Sequence, residues 1–255
     1  MTTTQTIQTL LSHRTVRRFT DQPVPDAHIQ LAIEAGQRAS TSSAVQAYSM
    51  IRLTDRAKRQ TLAELCGNQK QVEKAGAFFV ICADTRRHRL ITERADAPYN
   101  AALEAFMVAV IDASLFAQNV VVAFESLGYG ICYIGALRNQ LPAVDELLSI
   151  PHGVYPLFGL CVGMEQRSEA GASDPIIDTI PRPRLPKQAV SFDNRYPSDA
   201  EVLGFIDQYN VQYASYLEAR GATPRGWSDA IGTKFTNVSR PDLATYYQSK
   251  GACLE

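Results

Sequence analysis

The chain has 255 residues, of which 45% are hydrophobic, and its 25 Lys and Arg residues nearly balance its 26 Asp and Glu residues. This composition excludes a mainly disordered chain, and the length suits one large domain or one domain with an excursion. Because the formal net charge is only −1, the sequence offers no excess of basic residues for nucleic acid, and we expect no nucleic-acid partner.

The N-terminal residues and the cysteines together predict a cytoplasmic protein. The first segment, MTTTQTIQTLLSHR, lacks the basic and apolar regions of a secretory signal. The cysteines include no C-x-x-C pair, and three of them stand in apolar runs, which is typical of core thiols in a reducing compartment. The five cysteines are Cys66, Cys82, Cys132, Cys161 and Cys253.

Apolar residues at helical spacing predict three helices early in the chain, at residues 7–11, 29–38 and 57–65. Runs of β-forming residues bounded by Gly, Asp or Pro predict four strands, at residues 48–53, 78–82, 131–134 and 157–162. The alternation of helices and strands indicates an α/β or α+β fold in which helices sandwich a sheet.

The longest apolar stretch, residues 100–128, has a length that would also suit a membrane span. Glu104, Asp112 and Glu125 interrupt this stretch, and charged side chains are costly in lipid. The stretch therefore predicts a central core helix that is buried nearly all round and carries its charges at the rim. We expect no membrane association.

The composition of the sequence changes after Glu165, because residues 166–190 are rich in Pro, Ser, Asp and Arg and lack hydrophobic periodicity. This segment predicts a long excursion from the core. Ser198 and Glu201 form a capping-box pair that opens a helix ending near residue 219. A last helix is expected near Asp242.

Several familiar catalytic motifs are absent from the sequence, including H-E-x-x-H, G-x-S-x-G and the Walker A loop. Metal-assisted hydrolysis and serine-triad catalysis are therefore not indicated. Residues 128–135 begin like a dinucleotide fingerprint, but Tyr133 stands where the third glycine belongs and a helix precedes the segment. A Rossmann phosphate loop is not expected.

A basic cluster follows the first predicted helix. His13, Arg14, Thr15 and Arg17 place two guanidinium groups, an imidazole and a hydroxyl within about one turn. This set of donors suits an oxyanion such as a phosphate monoester. The alternative is a solvated basic turn at a helix C-terminus, where cations suit the helix dipole.

Two further segments carry candidate ligand groups. Arg182 and Arg184 alternate with prolines in residues 182–187, and the alternative is a charged linker stiffened by proline. Residues 40–43 form a run of hydroxyls between a helix and a strand. The ordinary interpretation of such a run is a helix cap or a turn.

Ordered sequence blocks resemble the FMN-dependent family of oxygen-insensitive NADPH nitroreductases and flavin reductases, over almost the whole chain. A Trp-Ser-Asp segment at residues 227–229 extends the resemblance toward the C-terminus. The blocks are HRTVRRFTDQPV, ASTSSAVQAYSMI, GNQKQVEKAGAFFVICAD, GICYIGALRN, PLFGLCVG and RPRLPKQAV.

The resemblance implies an α+β nitroreductase fold with a central mixed sheet flanked by helices. It implies a core at residues 1–165, and an excursion loop and C-terminal helices at residues 166–255 that complete the same domain. These C-terminal helices would wrap the partner subunit of a homodimer that holds two FMN molecules at its interface.

The resemblance also implies a set of FMN-binding residues from several segments of the chain. The family often has Lys at Arg182 and Gly at Ala136, so the contacts at these two positions differ in geometry. No catalytic side chain and no metal are implied, because the flavin carries the redox chemistry. The implied FMN-binding residues are His13, Arg14, Thr15, Arg17, Thr41, Ser42, Ser43, Gln69, Tyr133, Ile134, Gly135, Ala136, Arg182 and Arg184.

Arg220 and Arg225 match the basic loop that grips the 2′-phosphate of NADPH in the family. The alternative is a solvated turn between two helices. The implied function is a two-electron, ping-pong transfer from NADPH to nitroaromatics, quinones or free flavin. The alternatives are an FMN-binding sensor or storage module, and a flavin enzyme of different chemistry, such as reductive dehalogenation or flavin degradation, on the same fold.

Overall fold

The structure is a computed structural model that describes residues 3–100, 102–166 and 181–254. The chain divides into two compact units. The first unit comprises residues 1–167 and 240–255, and the second comprises residues 168–239. The sequence analysis groups residues 240–255 with the excursion, and its division of the chain at residue 165 stays a prediction.

The first unit contains a four-stranded sheet and eight of the described helices. The strands are β1 (Tyr48–Arg52), β2 (Ala77–Asp84), β3 (Gly130–Ile134) and β4 (Val154–Gly163). The helices are α1 (Gln5–Leu11), α2 (Asp26–Gly36), α3 (Arg56–Leu65), α4 (Lys70–Lys74), α5 (Arg86–Arg94), α6 (Leu103–Ser126), α7 (Leu141–Leu148) and α10 (Leu243–Ser249).

All four predicted strands and the three early helices are present, and side-chain caps define two of the helix starts. The Thr4 hydroxyl accepts a hydrogen bond from the Ile7 amide at the start of α1. The Asp55 carboxylate accepts one from the Lys58 amide at the start of α3. Such caps satisfy amides that have no partner inside the helix.

The strand order is β1-β2-β4-β3, and every neighbouring pair of strands is antiparallel. The expectation of a mixed sheet is therefore wrong for the named strands, because β4 lies between β2 and β3 and runs opposite to both. A parallel bridge joins Thr15 to Ile131 at the outer edge of β3. This bridge brings the predicted basic cluster beside the sheet.

Two apolar clusters cover the two faces of the sheet. Alternate residues of β2 point to opposite clusters, with Phe79 and Ile81 in one and Phe78 and Val80 in the other. The first cluster includes residues of α2 and α6, and the second includes residues of α3 and α7. Because β2 is buried on both faces, it appears in the sequence as a continuous apolar run.

Helix α6 packs against α2 and the sheet. The sequence analysis expects it to be buried nearly all round, but one side of the helix is exposed. Its buried residues include Phe116 and Phe124 on one side. Leu103, Met107 and Ile111, spaced four residues apart, are between 37% and 51% exposed. Among the described residues, α6 is the one helix whose length and mean hydropathy of 1.8 satisfy the criteria for a membrane span, and 39% of that window is buried.

The expectation of core thiols holds for four of the five cysteines. Cys66, Cys82, Cys132 and Cys161 are buried in the second apolar cluster. Burial raises the pKa of the Cys66 thiol to about 12, which keeps it protonated and unreactive at neutral pH. Cys253 is only partly buried.

The last predicted helix, α10, packs on the core of its own chain. The Tyr247 hydroxyl donates a 2.8 Å hydrogen bond to the Pro156 carbonyl of β4. The ammonium of Lys250, just after α10, lies 2.8 Å from an Asp145 carboxylate oxygen and donates to the Ile150 carbonyl at 2.7 Å. This part of the predicted C-terminal extension therefore belongs to the first unit.

The second unit contains α8 (Asp199–Ala219) and α9 (Trp227–Phe235). The predicted capping box at the start of α8 is confirmed, with the Ser198 and Glu201 side chains each bonded to the other residue's backbone amide. Tyr209 and Tyr213 of α8 form a small aromatic cluster with Trp227 of α9. The predicted excursion falls mostly on residues 167–180, which lie outside the described residues.

Candidate functional site

Three of the four candidate segments of the first unit are anchored along α6, and the fourth is the turn at Gln69. The loop that begins at Ser42 bonds to Asp112, the Tyr133 hydroxyl donates to Gln118, and the His13 imidazole contacts Glu125. Asp112 and Glu125 are about 20 Å apart along the helix, because α-helices rise 1.5 Å per residue. The structure thus brings the basic cluster, the hydroxyl run and the end of β3 to one helix.

The segment that carries the basic cluster pairs with the edge of β3 through one parallel bridge, and its side chains differ in burial. Val16 is buried and its amide donates a 2.8 Å hydrogen bond to the Ile131 carbonyl, whereas Arg17 is exposed. Thr15 is half-buried beside the same strand. The extended backbone therefore fixes Val16 in the core and leaves Arg17 at the surface.

Two residues of the basic cluster contact carboxylates. The His13 Nδ1 atom lies 2.6 Å from the Glu125 carboxylate. The Arg14 guanidinium binds both oxygens of Glu165, at 2.7 and 2.5 Å. A cavity of about 250 Å³ adjoins these pairs and is lined in part by Val16. Sequence analysis alone does not reveal these pairs, since Glu165 lies 151 residues beyond Arg14.

The hydroxyl run lies in a loop with an unusual backbone. Thr41 precedes a short 3-10 helix at Ser42–Ala44, and Ser43, Ala44 and Gln46 have φ angles of 46°, 57° and 50°. These are left-handed conformations that residues other than glycine seldom adopt. Ser42 and Ser43 are exposed, so their hydroxyls face away from the core.

Asp112 is a residue whose role the sequence analysis missed. Its carboxylate is fully buried and accepts hydrogen bonds from the Ser42 and Ala47 amides, each at 3.1 Å. The prediction of a charge at the rim of the core helix is therefore wrong for Asp112. The signal in the sequence was a carboxylate in the middle of an apolar helix, which requires a buried hydrogen-bonding partner.

The end of β3 carries the candidates Tyr133 and Ile134. It leads into a 3-10 helix at Gly135–Asn139 that contains the candidates Gly135 and Ala136. Tyr133 is 36% exposed, packs edge-on against Phe158 and donates a 3.2 Å hydrogen bond to Gln118. Burial, and then the nearby Glu125 carboxylate, raise the pKa of the Tyr133 hydroxyl, so it remains a donor at neutral pH. Ile134 is buried, and Ala136 is half-buried.

Gln69 lies in the turn between α3 and α4, after two residues in the left-handed region, Gly67 and Asn68. Its side-chain oxygen accepts a 2.7 Å hydrogen bond from the Gln71 amide group. The structure confirms the expected turn at this position. Its place beside the other candidates stays a prediction.

Four candidate arginines belong to the second unit. Arg182 and Arg184 are exposed and lower the pKa of the Tyr209 hydroxyl, although burial raises it more. The Arg220 guanidinium donates to the Tyr216 hydroxyl at 2.7 Å and lies over the Tyr216 ring. Arg225 is exposed in the turn before α9. Their roles toward FMN and NADPH stay predictions.

No cluster of three or more His, Cys, Asp or Glu residues that could hold a metal ion occurs in the described part of the chain. The candidate residues themselves offer hydrogen-bond donors and the Tyr133 ring, and the carboxylates of Asp112, Glu125 and Glu165 contact their segments. Donors and a ring of this kind suit an organic anion with a planar ring.

Comparison with known proteins identifies the family. Residues 10–164 match the model of the nitroreductase family, and residues 182–255 match the model of the nitroreductase family C-terminal domain. The chain is 42% identical to an FMN reductase (NADPH) of Bacillus subtilis, across 96% of this chain and 97% of that protein. It is 41% identical to an oxygen-insensitive NADPH nitroreductase of Salmonella typhimurium, with the same coverage.

Solved structures give the same result. A nitroreductase structure from B. subtilis has a TM-score of 0.89 and 41% identity, and the match covers 97% of this chain and 98% of that one. An NADPH:FMN oxidoreductase from Vibrio harveyi, solved with NAD+, has a TM-score of 0.86 and 36% identity, covering 99% and 100% of the two chains. The chain has the nitroreductase fold and belongs to the nitroreductase family.

Proposed function

We propose that this chain is an FMN-dependent oxidoreductase that takes hydride from NADPH and passes two electrons to nitroaromatics, quinones or free flavin in ping-pong order. The observation that carries the proposal is the anchoring of three candidate FMN-binding segments along α6. The relatives named FMN reductase (NADPH) and oxygen-insensitive NADPH nitroreductase support the same cofactors.

The described residues offer suitable groups for both the phosphate and the ring system of FMN. The exposed Arg17 and the half-buried Thr15 offer a guanidinium and a hydroxyl to a phosphate. Tyr133 presents a partly exposed ring beside the start of the 3-10 helix at Gly135, where a flat ring system can stack. When bound, FMN supplies the hydride and electron chemistry, and the protein positions it and excludes competing reactions.

The chain's own groups act by binding and placement rather than as acids or bases. Arg17, with Arg182 and Arg184 of the second unit, binds the flavin phosphate, and Ser42 and Ser43 bind the flavin from the hydroxyl run. Charge-assisted hydrogen bonds of this kind contribute about 1.5–3 kcal/mol each. His13 and Arg14 contribute through their contacts with Glu125 and Glu165, which fix the turn around Thr15.

Arg225 is the residue we assign to the 2′-phosphate of NADPH. It is exposed in its turn, whereas Arg220 is held against the Tyr216 ring and hydroxyl. Arg220 therefore acts as the second, weaker contact. One exposed guanidinium with a weaker second contact gives a preference for NADPH over NADH rather than an absolute requirement.

The active protein is a cytoplasmic homodimer with two FMN molecules at its interface. The exposed apolar residues of α6, Leu103, Met107, Ile111 and Leu115, form a row along one side of the helix. Such a row is typical of a protein-protein interface. Helices α8 and α9 extend over the partner subunit.

The first test is the visible spectrum of the purified protein under anaerobic conditions, followed by addition of NADPH. The proposal predicts flavin absorbance that NADPH bleaches quickly and that a nitroaromatic or a quinone restores. Absorbance that does not bleach would indicate an FMN-binding sensor or storage module. Bleaching without efficient nitroaromatic turnover would indicate a flavin enzyme of different chemistry, and failure to bind FMN would refute the cofactor.

The phosphate assignment is tested by Arg17→Ala and Arg184→Ala. Each variant should lower FMN occupancy and raise the FMN dissociation constant, because each removes a charge-assisted contact. Arg56→Ala, which removes an exposed arginine from the start of α3, is the matched control and should bind FMN normally. Unchanged FMN affinity in both test variants would refute the assignment.

A further inference from the structure

The strongest unexplained feature of the first unit is the buried carboxylate of Asp112. It lies in the middle of α6, is 0% exposed, and accepts one backbone hydrogen bond at each oxygen. Both donors, the amides of Ser42 and Ala47, belong to residues 42–47, which we call the serine loop. The carboxylate therefore bridges the two ends of this loop.

We propose that Asp112 is a positioning residue that holds the serine loop in the conformation in which its hydroxyls meet the flavin. The inference rests on the proposed function, because it takes the exposed Ser42 and Ser43 as flavin-binding residues. Asp112 itself is buried and acts only through the backbone of the loop.

The backbone of the serine loop needs such support. Ser43, Ala44 and Gln46 all lie in the left-handed region, which is unfavourable for residues with a Cβ atom. Three such residues within four positions persist only where the surrounding structure determines their conformation. The loop sequence contains no glycine, so the contacts around the loop must offset the free-energy cost of these left-handed conformations.

Helix α5 supports the loop from its carbonyl side. The His88 Nε2 atom donates a 2.7 Å hydrogen bond to the Val45 carbonyl. The Arg87 guanidinium donates to the Gln46 carbonyl at 3.3 Å and to the Tyr48 carbonyl. The amides of the loop thus meet an acceptor on α6, and its carbonyls meet donors on α5.

The chemistry of the contact favours a carboxylate over other residues. Asp offers two acceptor oxygens, and here each one meets an N–H group. Asn has one acceptor oxygen and would turn its amide hydrogens toward the second N–H group. A buried carboxylate is also costly, and an apolar side chain would serve better if the position only filled the core. The residue is therefore explained by its two bonds to the loop.

The loop in turn presents its side chains outward. Ser42 and Ser43 are exposed, and in the described part of the chain neither hydroxyl is used in a side-chain hydrogen bond. Ala47, at the other end, is buried beside Tyr48, whose ring stacks on Phe116 of α6 at 4.3 Å. The Ala47 end of the loop is thus fixed by the core as well as by Asp112, and Asp112 holds the Ser42 end.

The experiment compares Asp112→Asn with Asp145→Asn, which changes a partly buried carboxylate of the same unit that does not contact the loop. FMN affinity is measured by titrating apoprotein with FMN and following flavin fluorescence, and the bound flavin is compared by visible circular dichroism. Amide hydrogen exchange of the serine loop reports its order directly. Thermal unfolding of each variant measures the general loss of stability.

Asp112→Asn should weaken FMN binding by about tenfold to a hundredfold, the range expected when one charge-assisted hydrogen bond is lost. It should also change the visible circular dichroism of the bound flavin and speed exchange at Ser42 and Ala47. Asp145→Asn should lower thermal stability and leave all three of these readouts unchanged.

A second pair of variants keeps the test decisive if Asp112→Asn folds poorly. His88→Ala removes the donor to the Val45 carbonyl and should weaken FMN binding. His88→Gln restores an N–H donor and should recover much of the affinity. Equal affinity of both His88 variants and the wild type would overturn the inference.

The inference and the proposed function fail in different ways. If wild-type apoprotein binds no FMN, the proposed function is wrong. If the wild type binds FMN and Asp112→Asn binds it equally well, with lower thermal stability only, then Asp112 is a structural residue and the inference alone is wrong.

Discussion

Replacing Lys250 by Met should destabilise the first unit strongly. The Lys250 ammonium lies 2.8 Å from an Asp145 oxygen and 2.7 Å from the Ile150 carbonyl, and the two side chains of the ion pair are only 11% and 16% exposed. Methionine keeps most of the length of the side chain but removes the charge and the donor. The Asp145 carboxylate would then be buried without its cation.

The expected loss is about 3–5 kcal/mol in the free energy of unfolding, the usual cost of breaking a buried ion pair by removing one partner. For chains of this size the melting temperature falls by about 2–4 °C per kcal/mol. The shift should therefore be about 6–20 °C. It is measured by urea and thermal unfolding of apoprotein at one protein concentration, because ligand binding and association both add stability.

Two controls define the result. Lys58→Met removes an exposed lysine from α3 and should change stability by less than about 0.5 kcal/mol. The double variant Asp145→Asn with Lys250→Met should recover part of the loss, since no buried charge is left without a partner. A loss below about 1 kcal/mol in Lys250→Met would refute the reasoning and show that the pair is solvated.

Three further predictions concern the cofactor loop, the basic cluster and α8. Arg225→Ala should raise the Michaelis constant for NADPH more than that for NADH, measured by steady-state kinetics. Gly130→Ala would place its Cβ atom 2.7 Å from Val16, which should lower stability and FMN affinity together. The hydrogen bond from Arg195 lowers the pKa of the Glu201 carboxyl to about 2. The stability that Glu201 contributes as a helix cap is therefore complete above its ordinary pKa of about 4.5 and is lost as the pH falls toward 2. A carbon NMR titration of the Glu201 carboxyl measures this pKa.

Each of these predictions has a clear contrary result. Equal changes in both Michaelis constants would show that Arg225 does not bind the 2′-phosphate. Gly204→Ala, in open space on α8, is the control for Gly130→Ala. Equal changes in stability and FMN affinity in the two variants would show that Val16 moves aside without measurable cost. A Glu201 pKa near 4.5, unchanged by Arg195→Ala, would mean that the ion pair does not form in solution.

The strands and the capped helices could be predicted from sequence because their signals are local. β2 is buried on both faces and forms a continuous apolar run, and the Ser198 cap is visible in four residues. Strand direction is not local. It depends on β4 entering between β2 and β3, and no periodicity in the sequence contains that information.

Four helices, α4, α5, α7 and α9, were missed, and α5 and α9 lack a long apolar stripe. Helix α5 reads RRHRLITER and has no buried residue, so hydrophobic periodicity gives it no signal. Its Arg87 and His88 matter instead through bonds to the serine loop. The candidate site was found from its motifs, whereas the residues that hold it came only from tertiary structure.

The division of the first unit into residues 1–167 and 240–255 has a consequence for synthesis on the ribosome. The partners of Tyr247 and Lys250, on β4 and around α7, emerge long before α10 is made. Until then Asp145 lacks the Lys250 ammonium, and the surface of β4 that α10 covers remains open to solvent. The first unit therefore reaches its final packing only after the second unit has been translated, although domains commonly fold in N-terminal order.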